Sequence, residues 1–265
     1  MNGQASSAKQ APSVAIVGGG LAGLAAACAL ADNGFTVTLF ERRPFLGGRA
    51  SSYEHPGTGE IVDNCQHVLF GVCTNLMEFY ERLGAAEKIR WFDEMNFIEP
   101  GGRISVLRST ALPAPFQTLP SFASFPFLSS RDKLAIARAM MSLVPLPAKD
   151  TGESFLTWLR RHGQTPAAID RFWNPILISA LSDDLDRISV SAAGQVIRET
   201  TRSNAARRMG IPAVPLTELY HAAEGYVTQR GGSVQLRCGV TTIEPSPDGV
   251  SSILQTDRNR STLPF

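Results

Sequence analysis

The 265-residue chain has almost no charge imbalance: 25 lysines and arginines face 24 acids, for a formal net charge of +1. No basic or acidic surplus is present to draw in a nucleic acid or an acidic polymer. Cysteine is scarce too. Cys28, Cys65, Cys73 and Cys238 show no C-x-x-C pair and no zinc spacing, which argues against a disulfide framework and against a metal site. Buried free thiols in a reducing cytoplasm are the reading they favour, Cys28 in a helix and Cys238 in a strand-like run. No apolar signal core opens the chain; residues 1–12 are small and polar and read as a disordered leader. One uncharged run exists, Val14–Ala31, but three consecutive glycines and nearby Asp32 make it a poor membrane span. The length accommodates one or two domains with a real core.

What is present is concentrated between Val14 and Arg49. Val14–Val17 is too short for a helix and of the right composition for a buried parallel strand. Directly after it, Gly18, Gly20 and Gly23 fit G-x-G-x-x-G. The first glycine allows a tight turn, the second a close backbone approach to a pyrophosphate, and the third close packing of helix on strand. A helix from Leu21 to about Asn33 then directs its free amides and positive dipole end at phosphates. Gly34 ends it, and Phe35–Phe40 alternates as a second strand. Glu41 follows Gly23 by eighteen residues, where an acid accepts from adenosine ribose hydroxyls and disfavours a 2′-phosphate.

Further along, 50–53 and 60–62 read as short strands around the turn His55-Pro56-Gly57-Thr58-Gly59. The cluster Asp63, Asn64, Cys65, Gln66 and His67 is dense in polar groups; a structural histidine and a site histidine both fit it. Thr74 caps a helix with Leu76, Phe79, Tyr80 and Leu83 on one face, stopped by Gly84. Residues 97–107 read as strands around Pro100-Gly101-Gly102. From Ala111 to Pro147 proline and phenylalanine become frequent and charge sparse. That stretch suits a proline-broken helical subdomain with an apolar core, and equally an apolar tunnel wall or a patch against a membrane. Ser130 is the expected cap of a helix ending before Pro145, and helices are expected over 154–162, from Pro166, after Pro175, and over 191–201. His162 reads as a helix-end partner of the dipole. Residues 216–230 read as one helix, Val234–Val240 as one strand, and 250–255 as its partner across a turn at 245–249.

Leu46-Gly47-Gly48-Arg49 with Ser51 resembles the L-G-G-R-x-x-S element of the FAD-dependent amine oxidase and phytoene desaturase superfamily. The resemblance implies FAD rather than NAD, with a second glycine turn lying against the cofactor. Val62-Asp63-Asn64-x-Gln66-His67-Val68-Leu69 further resembles the D-N-G-Q-H-V-L element of squalene-associated FAD-dependent desaturases, the hydroxysqualene dehydroxylases. So do Gly152–Phe155 with Trp158–Gly163, Arg171-Phe172-Trp173-x-Pro175 with Ser179–Leu181, and Val214–Leu216 with Leu219-Tyr220. The likeness runs from about Val14 to Ile243. Cys65 stands where that family usually has glycine, and nothing after Gly249 matches the family's closing segment, so the chain reads as C-terminally truncated.

The resemblance implies an α/β fold: a Rossmann-like FAD-binding domain over 13–98 and 216–265, with a largely helical substrate domain inserted over 99–215. It implies that Gly18, Gly20, Leu21, Ala22 and Gly23 surround the pyrophosphate, Glu41 lies by the ribose, Gly48 and Arg49 by the inner phosphate and Val240 by the adenine, with Arg42 also among the cofactor-binding residues. His67 is the expected proton donor beside the flavin, with Gln66 next to it and Asp63 orienting it. The implied reaction is reductive removal of the hydroxyl of hydroxysqualene, a long isoprenoid, on the inner face of a membrane, with the electron donor unassigned. The alternatives are a carotenoid desaturase or amine oxidase on the same scaffold, a non-catalytic shortened paralogue, and an NAD dehydrogenase.

Overall fold

The computed structural model describes residues 11–65, 67–144, 152–246 and 249–255. The expected leader, apart from Ala11 and Pro12, lies outside the described residues, as do Gln66, Pro145 and part of the expected 245–249 turn. The fold is mixed α/β. The chain divides into two compact units: Met1–His67 with Asn75–Arg90 and Pro212–Phe265, and Val68–Thr74 with Trp91–Ile211.

In the first unit, β1 (Ser13–Val17), α1 (Leu21–Asp32) and β2 (Thr36–Phe40) follow one another. β1 and β2 pair in parallel from Ser13↔Thr36 to Val17↔Phe40, and Ser233–Gln235 joins the other side of β2, also in parallel. The helix buries Leu24, Ala27, Cys28 and Ala31. Gly34 follows it at φ +79°, a left-handed conformation that glycine adopts without strain. Asp32 at the end of α1 accepts from Arg82 Nη1 at 2.9 Å and Tyr226 Oη at 2.8 Å, and pairs with Arg230 Nε at 2.8 Å. One carboxylate thus ties α1 to α2 (Thr74–Arg82) and to the helix Ala222–Thr228. β3 (Ser52–Glu54) and β4 (Ile61–Asp63) form an antiparallel hairpin. None of the four cysteines forms a disulfide, but Cys28 alone is buried, and burial pushes its thiol up to about 11. Cys238, expected inside, is half-buried, and Cys65 is exposed.

Two expectations for this unit fail, both where distant segments make demands on the backbone. The predicted helix over 216–230 is broken into a 3₁₀ turn, Leu216–Leu219, and the helix Ala222–Thr228. The predicted strand Val234–Val240 is interrupted after Gln235, where Arg237 turns at φ +55° before Val240–Ser246 begins. The Arg237 and Cys238 amides donate to Arg43 and Glu41 carbonyls, at 3.0 and 2.9 Å, so the chain bends around the end of β2. Val240–Ser246 then pairs antiparallel with Gly249–Gln255.

The second unit is largely helical around one apolar core. Phe125, Phe155, Leu159, Trp173 and Leu177 are at most 1% exposed. Of the proline- and phenylalanine-rich stretch, Phe122, Phe125 and Phe127 turn inward, with ring centroids 5.0–6.1 Å from one another or from Phe97. Phe116 stays 54% exposed beside Leu112 and Leu119, also exposed. The hairpin Glu94–Ile98 with Ile104–Arg108 turns at Gly101 and Gly102. Helix Ser130–Leu143 is capped by Ser129, one residue before the expected Ser130, because Asp132 answers reciprocally: its carboxylate accepts from the Ser129 amide and its amide donates to Ser129 Oγ. Ser154, Thr165 and Ser189 cap the helices that follow them. Before Pro175 the helix widens into a π turn, Ile169–Trp173, which accommodates the missing proline amide. His162 closes its helix by donating to the Trp158 carbonyl at 2.8 Å, its ring stacked on that indole. Among the described residues no helix is long and apolar enough to cross a membrane.

Candidate functional site

The site begins where β1 ends. Gly18 turns at φ +105°, and its amide donates to the Phe40 carbonyl at 2.8 Å. Gly20 caps α1 in extended conformation with no side-chain cap, and the first turn of the helix carries no acid. Among the described residues no side chain caps the opening amides of α1, which suits them to an external acceptor. A Cβ added at Gly20 would meet nothing within 4 Å, whereas one at Gly23 would sit 2.0 Å from the Gly18 carbonyl oxygen. One glycine keeps space open and the other permits contact.

Glu41 at the end of β2 is 6% exposed. Its Oε2 accepts from the Gly19 amide at 2.7 Å and its Oε1 from the Arg43 amide at 2.8 Å. The carboxylate therefore braces the glycine turn, and each oxygen retains a lone pair for a further donor. The chain after Gln235 passes alongside, and half-buried Val240 follows two residues beyond the Cys238 amide bound to Glu41.

The second glycine turn lies on the first. Gly47 donates to the Gly19 carbonyl at 2.8 Å and bridges Gly20 in parallel. Gly48, at φ +62°, places its Cβ direction 3.2 Å from Gly20 Cα. Arg43 Nη1 holds the Gly48 carbonyl at 3.0 Å; Arg42 and Arg49 are exposed. The amides of Gly48 and Arg49 meet no acceptor among the described residues.

The polar cluster is arranged otherwise than expected. Asp63 Oδ1 accepts from Ser52 Oγ at 2.7 Å and from the Leu216 amide at 3.0 Å, so it orients the 216–219 turn, and none of its hydrogen bonds reaches His67. His67 is half-buried, with Nδ1 2.8 Å from the Cys65 carbonyl and 3.5 Å from Cys65 Sγ. The structure thus brings together Gly18, Gly20, Leu21, Ala22, Gly23, Glu41, Gly48 and Arg49, while His67 keeps to local partners. Tyr220, which enters the sequence reading only through the Leu219-Tyr220 resemblance and without a site role, reaches the second turn from 170 residues away. Among the described residues no three His, Cys, Asp or Glu side chains gather as a metal site.

A β-α-β turn with uncapped helix amides, an acid after the second strand and a second glycine turn defines a dinucleotide-binding fold. The chain belongs to the flavin-containing amine oxidoreductase family, whose model matches residues 21–262, and its cofactor is FAD. It is 31% identical over 246 residues to zeta-carotene desaturase of Synechocystis sp., covering 87% of this chain and 50% of that protein. It is 27% identical over 237 residues to 15-cis-phytoene desaturase of Synechococcus elongatus, covering 84% and 49%. The chain thus spans about half the length of these relatives. An oxidoreductase of Methanosarcina mazei shares the fold at TM-score 0.66 and 21% identity, over 95% of this chain and 57% of that one. Putrescine oxidase does so at TM-score 0.65 and 21% identity, over 92% and 56%. The two desaturases favour the carotenoid desaturase alternative over the hydroxysqualene reading.

Proposed function

We propose that this chain serves an FAD-dependent desaturase of a long isoprenoid, of the carotene desaturase kind. The likeness to zeta-carotene desaturase of Synechocystis sp. across 87% of the chain carries this reading. Bound FAD supplies a two-electron acceptor for hydride. The residues here would hold it: the amides of α1's first turn, from Leu21 and Ala22, and those of Gly48 and Arg49 would receive the diphosphate. Arg42 and Arg49 would screen its charge, Glu41 would accept from the ribose with its remaining lone pairs, and the backbone near Val240 would meet the adenine. The exposed Leu112, Phe116 and Leu119 suit access to a substrate dissolved in lipid, at a membrane surface.

A second reading, reductive dehydroxylation of hydroxysqualene, is favoured by the Asp63-Asn64-x-Gln66-His67 run. There His67 protonates the departing hydroxyl, with Gln66 beside it. Incubation of the chain loaded with oxidised FAD with zeta-carotene or putrescine, and of the chain with its flavin reduced by dithionite with hydroxysqualene, separates the readings. Loss of hydrogen from zeta-carotene is the expected result. Conversion of hydroxysqualene alone would replace the first reading with the second, and oxidation of putrescine alone would remove both. Under the second reading, His67→Ala lowers turnover by about a hundredfold or more.

A further inference from the structure

We infer that Tyr220 is a positioning residue for the cofactor, holding the second glycine turn so that its free amides face the diphosphate. The inference rests on the FAD assignment and adds a residue to it. Tyr220 is 2% exposed, and its hydroxyl donates to the Ala50 carbonyl at 2.6 Å, with the Leu46 carbonyl at 3.4 Å. Those two carbonyls flank the turn. Both carbonyls lie within reach of that one hydroxyl, while the Gly48 and Arg49 amides between them meet no acceptor among the described residues. Contact with Gly47 is close enough that a Cβ there would lie 1.8 Å from Tyr220 Oη. The Gly47 amide is held separately by the Gly19 carbonyl, so the turn is gripped at both ends.

The tyrosine is itself anchored. It directly follows the 3₁₀ turn Leu216–Leu219, whose opening amides are taken by the hairpin after the glycine turn. Leu216 donates to Asp63 Oδ1 and Thr217 to Ser52 Oγ, at 3.0 and 3.2 Å, while Ser52 Oγ donates to Asp63 at 2.7 Å. Asp63 therefore acts on the site through Tyr220. A phenylalanine would fill the same core; what the hydroxyl adds is control of the turn's carbonyls.

The test is Tyr220→Phe in the full chain, with Tyr80→Phe as control, since Tyr80 is a tyrosine of the same unit with 3% exposure. Loss of one hydrogen bond predicts FAD and ADP binding about five- to tenfold weaker. Riboflavin, which lacks the diphosphate, binds both variants as it binds the unaltered chain. Amide exchange over residues 47–51 quickens in Tyr220→Phe, while the unfolding midpoint without FAD matches that of Tyr80→Phe. FAD affinity within about twofold of the unaltered chain, unchanged exchange, or an equal loss in the control overturns the inference alone. An unaltered chain that takes up neither FAD nor ADP overturns the assignment of the site along with it.

Discussion

Removing the Glu41 carboxylate is the sharpest probe of the cofactor turn. It joins two backbone amides, Gly19 at 2.7 Å and Arg43 at 2.8 Å, that face no other acceptor. Hydrogen bonds to a charged group contribute about 1.5–3 kcal/mol each, so the pair amounts to roughly 3–6 kcal/mol. The space over Gly20 is open, and water entering there rehydrates part of the exposed amides, which places Glu41→Ala near the lower end, about 3 kcal/mol. Glu41→Gln keeps one oxygen but aims its NH₂ at an amide N–H, so it recovers at most one of the two bonds. Urea unfolding of the chain without flavin measures the first effect, and FAD titration measures the loss of retention. A midpoint shift worth less than about 1 kcal/mol for Glu41→Ala would refute the bracing role. Unchanged FAD retention would remove Glu41 from the ribose.

In the second unit, hydrogen bonds from Thr165 and Ser129 hold the Asp132 carboxyl below its usual range. A depressed folded-state value stabilises above the unfolded one and loses that contribution as pH falls through the folded value. Asp132→Ala should cost about 1–2 kcal/mol at neutral pH and flatten the acid limb of the unfolding curve; an unchanged acid limb contradicts this. At the alkaline end, burial pushes Tyr80 and Tyr220 up to about 12 each, from 10.0. Their raised values stabilise fully below pH 10 and lose that stabilisation as pH climbs toward 12. Replacing both by phenylalanine should therefore shrink the fall in thermal midpoint between those pH values, which a scan in buffered alkali reads directly.

The cofactor turn was legible in the sequence because its determinants are local: Gly18, Gly23 and Gly34 meet backbone requirements set within a few residues, and Glu41 sits one strand further on. The same locality made the helices of the second unit readable through Ser154, Thr165 and Gly163. Misplacement of the Ser129 cap by one residue followed from treating Ser130 alone, without the reciprocal Asp132 that selects its partner. The break at Tyr220 was not legible. Residues 216–230 have helical composition throughout, and what interrupts them is the demand of Ala50 for a donor and of Leu216 for an acceptor at Asp63.

By itself the sequence determined the dinucleotide turn and the apolar faces of the helices, since glycine sterics and helix periodicity act between neighbours in the chain; FAD rather than NAD came from the resemblance carried by Leu46-Gly47-Gly48-Arg49. Tertiary structure alone decided what Asp63 binds, which phenylalanines turn inward, and how Tyr220 grips a turn 170 residues away. Contacts of that range depend on how distant segments share the same space, and no local pattern of residue types encodes them.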